Sequence, residues 1–269
     1  MSIENKIINK DVAISSDIIN AGWPWQMQHN DIYQKKRESS NFPKISIITP
    51  SYNQGQYIEE TIRSVLLQGY PNLEYIVIDG GSSDNTVEII KKYEKDISYW
   101  VSEPDRGQTH AINKGLAKAT GQIIAYLNSD DYYLPNTFFE VAEQFQKNPN
   151  ADLFHGRCRY VNQVGEKIGE QFADITQFSE IIDLWGVWWQ KRQFVQPEVF
   201  WTKRISDKVG LFNEDLYFVM DYEYWTRILK NNAKVCKIDS EFTCFRFTPE
   251  QKSNYSEKVA DELLTVVHP

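Results

Sequence analysis

No stretch of this chain approaches the roughly 18 consecutive apolar residues that a membrane-crossing helix needs. The opening MSIENKIINKDVAISS has neither the basic start nor the apolar middle of a secretion signal. A cytoplasmic protein is expected, with at most a peripheral association with the inner face of a membrane. Cysteine is scarce. Cys158, Cys236 and Cys244 are widely spaced and form no CxxC or Cys/His cluster, which argues against a disulfide framework or a zinc site and fits a reducing compartment. Also missing is any block of lysine and arginine: the formal net charge is -8 and the pI is near 5.2, so nucleic acid is not an expected partner, because phosphate-backbone binding leaves a basic stripe. Neither a Walker A lysine loop nor a GxGxxG loop occurs, and kinase and dehydrogenase readings lose their usual support. The four histidines, His29, His110, His155 and His268, are dispersed without metal-binding spacing and read as structural.

What the chain does have is apolar substance. Its 269 residues are 41% hydrophobic and 14% aromatic, enough for one large core. Residues 1–43 are polar and weakly periodic, interrupted by GWPW at 22–25, and read as an extension packing on a main domain of 44–269. From Lys44 the texture changes. ISIIT (45–49), LEYIVID (73–79), ISYWVS (97–102) and QIIAYL (122–127) carry strand signals. Between them YIEETIRSVLLQ (57–68), DNTVEIIKKYEK (84–95) and THAINKGLAKAT (109–120) carry helical periodicity. This alternation calls for right-handed βαβ crossovers, hence an α/β fold with a Rossmann-like, mainly parallel central sheet flanked by helices. Beyond Pro135 the pattern is less regular. A helix is expected over 136–146, two strands around LFHGRCRYV and EKIGEQF joined by a hairpin at NQVGE, a tract rich in Trp and Phe over 178–201, a helix over 221–232, and strands around 234–238 and 241–247.

In open α/β sheets, ligands bind at the carboxyl ends of the strands. Asp79, the pair Glu103 and Asp105, and the adjacent Asp130 and Asp131 all fall there. Two carboxylates at the mouth of a buried strand repel each other unless a cation offsets them, and Mg2+ or Mn2+ bound by one or two carboxylates leaves room for a diphosphate. The alternative is a solvated turn in which Asp131 caps the next helix. Asp79, before Gly80 and Gly81, could accept hydrogen bonds from a base or ribose, or support its own turn. Asp84 reads as a helix N-cap. Tyr52 offers a flat ring for a base, with Asn53 and Gln54 as hydrogen-bonding groups. WGVWWQKRQF (185–194) sets three tryptophans beside two cations, as a sugar-stacking or membrane-touching loop or as core.

The run KISIITPSYNQGQYIEETIRSVLLQGYPNLEYIVIDGGSSDNT, followed by SEPDRGQTHAINKGLAKATGQIIAYLNSDDYYLP, resembles the nucleotide-sugar half of family 2 glycosyltransferases with the GT-A fold. The resemblance covers about 44–146 and resumes from Gln196 to about Ser253. It implies a nucleotide-sugar-binding half over 44–135 and a smaller, acceptor-side α+β half over 136–269. Pro50 and Tyr52, with Asn53, would line the base pocket and Asp79 would bind the base, most often uracil. Arg106 and Asn113 match positions at the nucleotide. In NSDD, which stands where the family has DxDD, Asn128 replaces the aspartate near the ribose, Ser129 follows it, Asp130 becomes the metal ligand and Asp131 supports the site. Asp221 matches the catalytic base, or caps its helix, or does both. Met220 stands where relatives carry a second acid.

FRFTPEQKS resembles a segment that often reads R-x-H; Thr248 takes the histidine's place, and Arg246 and Lys252 are left as phosphate contacts or surface charges. Trp188, Trp189 and Gln196 are candidates for an acceptor or lid role. The implied activity is inverting transfer from a nucleotide-diphosphate sugar, a UDP-sugar, to a saccharide or lipid-linked acceptor, with Mn2+ or Mg2+. The alternatives are a sugar-phosphate nucleotidyltransferase, disfavoured because PSYNQGQYIEE has no Lys or Arg, and an inactive carbohydrate-binding scaffold, kept open by Asn128, Met220 and Thr248. The sequence leaves the oligomeric state open, a homodimer included.

Overall fold

The structure, a computed structural model, describes residues 22–26, 42–248, 251 and 256–267. Most of the proposed extension 1–43, and with it His29, lies outside the described residues, as do Lys252 and His268. The first four apolar runs become β1 (Ile45–Ser51), β2 (Leu73–Asp79), β3 (Tyr99–Ser102) and β4 (Ile123–Tyr126), linked by helices α1 (Ile58–Leu66), α2 (Thr86–Lys92) and α3 (Gln108–Leu116). Every residue of β1 is buried, Ser46 and Thr49 included, so neither face of the strand is left to solvent. The pairing is parallel, with Ile45 opposite Leu73 and Ser51 opposite Asp79. The strand order is β3-β2-β1-β4. The chain therefore builds outward to β3 and then crosses back past β1 to lay down β4, opening a crevice at the carboxyl ends of the strands.

The second half adds β5 (Tyr132–Tyr133), α4 (Thr137–Lys147), β6 (Leu153–Val161) and β7 (Lys167–Phe172). Next come α5 (Phe178–Ile181), a π-helical turn (Leu184–Trp188), a 3-10 turn (Gln196–Glu198), β8 (Val199–Thr202), α6 (Lys203–Val209), α7 (Met220–Lys230), β9 (Val235–Arg246) and α8 (Ser256–Val267). Among the described residues these strands and the first four make one nine-stranded sheet, ordered β3-β2-β1-β4-β8-β6-β9-β5 with β7 on β6. The expected α/β architecture is present: wholly parallel through β4 and mixed beyond it. The hairpin expected at NQVGE joins β6 to β7.

Three features depart from the sequence reading. VFWT forms β8, a buried strand pairing antiparallel with both β4 and β6 and so joining the two halves. Burial on both faces removes the alternation that would mark a strand. The two short strands expected around 234–247 are one, β9, whose register against β6 shifts near Gly156. A Cβ at Gly156 would come within 2.5 Å of the Phe242 ring, so the close approach needs glycine. The third is α8, for which the sequence reading had no counterpart.

His155 on β6 and Glu198 before β8 are both fully buried, 3.9 Å apart. Burial lowers the imidazole to about 4 and pushes the Glu198 carboxyl well above its ordinary range, so the pair is neutral. The unfolded His155 binds a proton near its ordinary 6.5 that the folded one refuses. Its contribution therefore falls as pH drops from 6.5 toward 4. The stability difference between wild type and His155→Leu should grow by roughly 1.4 kcal/mol per pH unit as pH rises through that window, then level off. Urea denaturation at a series of pH values reads it, and a flat difference would mean a charged ring in the fold.

Candidate active site

The loops after β1 and β2 are laced together. Asn53, with φ 51°, accepts from Ser83 N at 2.9 Å and donates its own N–H to Ser82 Oγ at 2.7 Å. Pro50 lies in β1 opposite Ile78, and Tyr52, two residues on, is 61% exposed. Asp79 is fully buried; its carboxylate accepts from Gly81 N at 3.1 Å, Ser82 N at 2.9 Å, Ser102 Oγ at 2.6 Å and Ser82 Oγ. In this structure it supports its own turn. Gly81, at φ +84°, makes that turn feasible.

Beyond β4, Ser129 and Asp131 are buried and Asp130 is half-buried. One Asp131 oxygen accepts from Arg246 N at 2.9 Å; the other, Oδ2, is buried without a partner. Burial pushes Asp131 well above the usual carboxylate range and the Asp130 charge adds to the shift, while Arg246 opposes it. Burial also raises Asp130. The Arg246 side chain is 2% exposed. It donates to the carbonyls of Asp130 at 3.0 Å and Gln163 at 2.8 Å and to the Glu60 carboxylate. This corrects one expectation: Arg246 is a buried tie between four segments, not a surface charge.

Asn128 stands in a chain of amides. Gln108 Nε2 donates to Asn128 Oδ1 at 2.6 Å, Asn128 Nδ2 donates to Gln196 Oε1 at 3.0 Å, and Gln196 Nε2 donates to Tyr126 O at 2.6 Å. An ionised aspartate at 128 has no proton for the middle bond. Gln196, a candidate acceptor residue, is thus connected to the NSDD loop. Sequence reading missed Gln108, which carries no motif signal of its own.

Arg106 and Asn113 reach the loop between α6 and α7. Arg106 Nε and Nη2 donate to Glu214 Oε2 at 3.1 and 2.6 Å. Asn113 Nδ2 donates to Phe212 O at 3.0 Å and Glu214 Oε1 at 3.1 Å, and its Oδ1 accepts from Phe212 N at 2.9 Å. The Asn113 amide, with Arg106 beside it, holds Glu214 below its ordinary range.

Asp221 sits in the first turn of α7 and accepts from Tyr222 N at 2.7 Å. A small pocket is lined by Asp221, Tyr222, Trp225, Trp188, Ile181, Gln193 and Phe194. Trp188 packs edge-on against Tyr222 at 5.2 Å, while Trp189 is 69% exposed beside Trp185. Tyr126, on β4, is within electrostatic reach of both acidic sites. Its hydroxyl is buried without a partner, and burial, then the charges of Asp221 and Asp131, raise it well above 10.

Residues 46–212 match the profile of glycosyl transferase family 2. The chain belongs to glycosyl transferase family 2. Among curated family members, the putative teichuronic acid biosynthesis glycosyltransferase TuaG of Bacillus subtilis is 45% identical over 117 residues, 42% of this chain and 46% of that protein. The poly-beta-1,6-N-acetyl-D-glucosamine synthase of Staphylococcus epidermidis is 33% identical over 136 residues, 50% of this chain and 33% of that one. An uncharacterized glycosyltransferase of Rickettsia typhi is 28% identical over 204 residues, 72% of this chain and 61% of its own length. The chain thus spans less than two thirds of each.

In fold, it is similar to S. aureus TarS 1-349 in complex with UDP-GlcNAc, with TM-score 0.67 and 20% identity over 83% of this chain and 65% of that one. It is also similar to the mannosyltransferase PcManGT of Pyrobaculum calidifontis in complex with GDP-Man and Mn2+, with TM-score 0.62 and 19% identity over 87% and 69%.

Among the described residues no three His, Cys, Asp or Glu side chains gather around one point as a metal cage. The family site nevertheless fits a divalent cation of the kind that keeps water and substrate oxygens in its shell. Glu60, Asp130 and Asp131 face a single guanidinium, and Asp131 Oδ2 has no partner. Removing that guanidinium leaves Glu60 and the aspartates uncompensated. Arg246→Met should cost about 3–5 kcal/mol in urea denaturation, with part recovered by adding Glu60→Gln. A loss under 1 kcal/mol would show that Arg246 does not tie the site together.

Proposed function

We propose that this chain is an inverting glycosyltransferase that moves a sugar from a nucleotide-diphosphate donor, a UDP-sugar, to a hydroxyl of a saccharide or lipid-linked acceptor. The setting is cell-surface polysaccharide or glycolipid synthesis at the cytoplasmic side of a membrane. The observation that carries this reading is the placement of two acidic sites: Asp130 and Asp131 at the carboxyl end of β4, and Asp221 at the start of α7, where it lines a small pocket. The family membership and the polysaccharide-synthesis names of two relatives support it.

The donor half is 44–135, with Pro50, Tyr52, Asn53 and Asp79 around the base and Arg106, Asn113, Asn128 and Ser129 bracing or contacting the nucleotide. Asp130, with Asp131 beside it, would hold Mg2+ or Mn2+, which supplies charge to offset that growing on the leaving diphosphate. In the acceptor half, 136–269, Asp221 takes the proton of the attacking hydroxyl. A carboxylate of ordinary pKa near 3.9 is a weak base for an alcohol, so the proton moves late, as bond formation to the anomeric carbon acidifies the oxygen. Trp188, Trp189 and Gln196 border the acceptor, Trp188 through the pocket it shares with Asp221.

Two measurements test the two sites separately. Calorimetric titration of UDP and of GDP, each with and without Mn2+, should show Mn2+-dependent binding of UDP that is lost in Asp130→Ala; binding of neither nucleotide by the folded protein would reject the donor site. Asp221→Asn should keep UDP affinity within about twofold and lower sugar transfer by on the order of 10²–10⁴. Undiminished turnover in that variant would reject Asp221 as the base.

A further inference from the structure

Helix α7 begins without a cap of its own. The residue before its first turn, Val219, has no side-chain acceptor, yet the leading N–H groups of a helix need partners. The peptide groups that lead into it are held from 43 positions downstream in sequence, by helix α8, and the last of them, Val219 N–H, is the first of the helix's own leading donors. Glu262 Oε1 accepts from Tyr217 N at 3.0 Å, and Oε2 accepts from Phe218 N at 2.7 Å and Val219 N at 3.1 Å. Three consecutive peptide groups are thereby fixed by one carboxylate, two residues ahead of Asp221. Bonds from N–H to a carboxylate are charge-assisted, and negative charge at a helix N-terminus is favourable.

The carboxylate is itself well anchored. Leu263 is buried and Val259, Val266 and Val267 pack against the core, with 259, 263 and 266 on one helical face. Glu262 is half-buried beside that face. The opposite end of the same loop is clasped by Asn113 and Arg106 through Phe212 and Glu214. The run from 212 to 219 is thus held at both ends, and its exit sets where α7 starts. From Val219 onward the helix is a rigid ladder, with Glu223 N donating to Val219 O at 2.9 Å. Moving the three peptides moves Asp221 with them.

We propose that Glu262 is a positioning residue for transfer: it caps α7 from the C-terminal helix and holds the Asp221 carboxylate in the geometry that proton removal requires. The proposal rests on the reading of Asp221 as the base. Displacing a catalytic group by about 1 Å costs on the order of 10²-fold in rate, whereas the bonds of Arg106 and Asn113 are to Phe212 and Glu214, at the other end of the loop from the three peptides that Glu262 holds.

The test is a double-mutant cycle on the full chain with Asp221→Asn, Glu262→Ala and the pair, reading sugar transfer and UDP binding. Glu262→Ala should lower kcat at least tenfold with UDP affinity within twofold of wild type. The isosteric Glu262→Gln, which keeps one acceptor oxygen and the packing, should fall between the two, and it carries the test if the alanine variant does not fold. In the pair, transfer should be no lower than in Asp221→Asn alone, because the clamp acts through that carboxylate. A kcat within twofold of wild type in both Glu262 variants, or a pair that loses the full product of the two single effects, would overturn the clamp while leaving the base in place. Normal turnover by Asp221→Asn would instead remove the base assignment and the clamp's role with it.

Discussion

The structure depends on a charge imbalance that it buries. Arg246 ends the last strand of the sheet, and its guanidinium and backbone tie together Glu60 on α1, the Asp130–Asp131 loop and the turn after β6. Segments from four parts of the chain thus converge on one cation. A buried ion pair of this kind contributes little net stability, because desolvation consumes most of the attraction; its effect is to penalise every arrangement in which a partner is misplaced. Here the three carboxylates outnumber the guanidinium by two charges, and burial already pushes Asp130 and Asp131 toward their neutral forms.

Much of this was legible from sequence where one physical signal acted alone. The short β-branched runs of β1 and β2, set between segments of helical periodicity, carried the strand signal, and LEYIVID ends at Asp79 in the structure as it does in the pattern. The carboxylate pair after β4 was visible because adjacent charges behind an apolar run have few innocent explanations. Legibility failed where signals competed. VFWT lies in a tract so aromatic that a central strand could not be told from loop packing, and β9 reads as two strands because the bulge opposite Gly156 lets polar residues interrupt it. Glu262 was invisible: an acid on an amphipathic helix looks the same whether it faces water or three peptide groups far away in sequence.

The polar positions that look like ligand positions also turn out to have structural partners. Asp79 is saturated by its own turn, Asn113 holds Phe212 and Glu214, and Asn128 relays between Gln108 and Gln196. Sequence identifies residue types suited to touch a nucleotide, and those same types are suited to cross-link loops. The two uses are compatible, since a side chain whose position is fixed by one set of hydrogen bonds presents its remaining lone pairs without further loss of entropy.

These cross-links run between the halves rather than within them. Arg106, just ahead of α3, and Asn113, on α3, reach the loop that leads into α7, and Gln108, also on α3, connects through Asn128 to Gln196 ahead of β8. Helix α3 is therefore bonded at once to the loop carrying Asp130 and Asp131 and to the approach to Asp221. A displacement of its N-terminal turn strains both contacts together. With β8 joining the two halves through the sheet, the relative position of the two acidic sites is set by packed strands and direct hydrogen bonds. That matters for the proposed reaction, because the departing diphosphate and the proton acceptor must lie on opposite sides of one anomeric carbon, and a separation fixed before binding needs no further ordering when the substrates arrive.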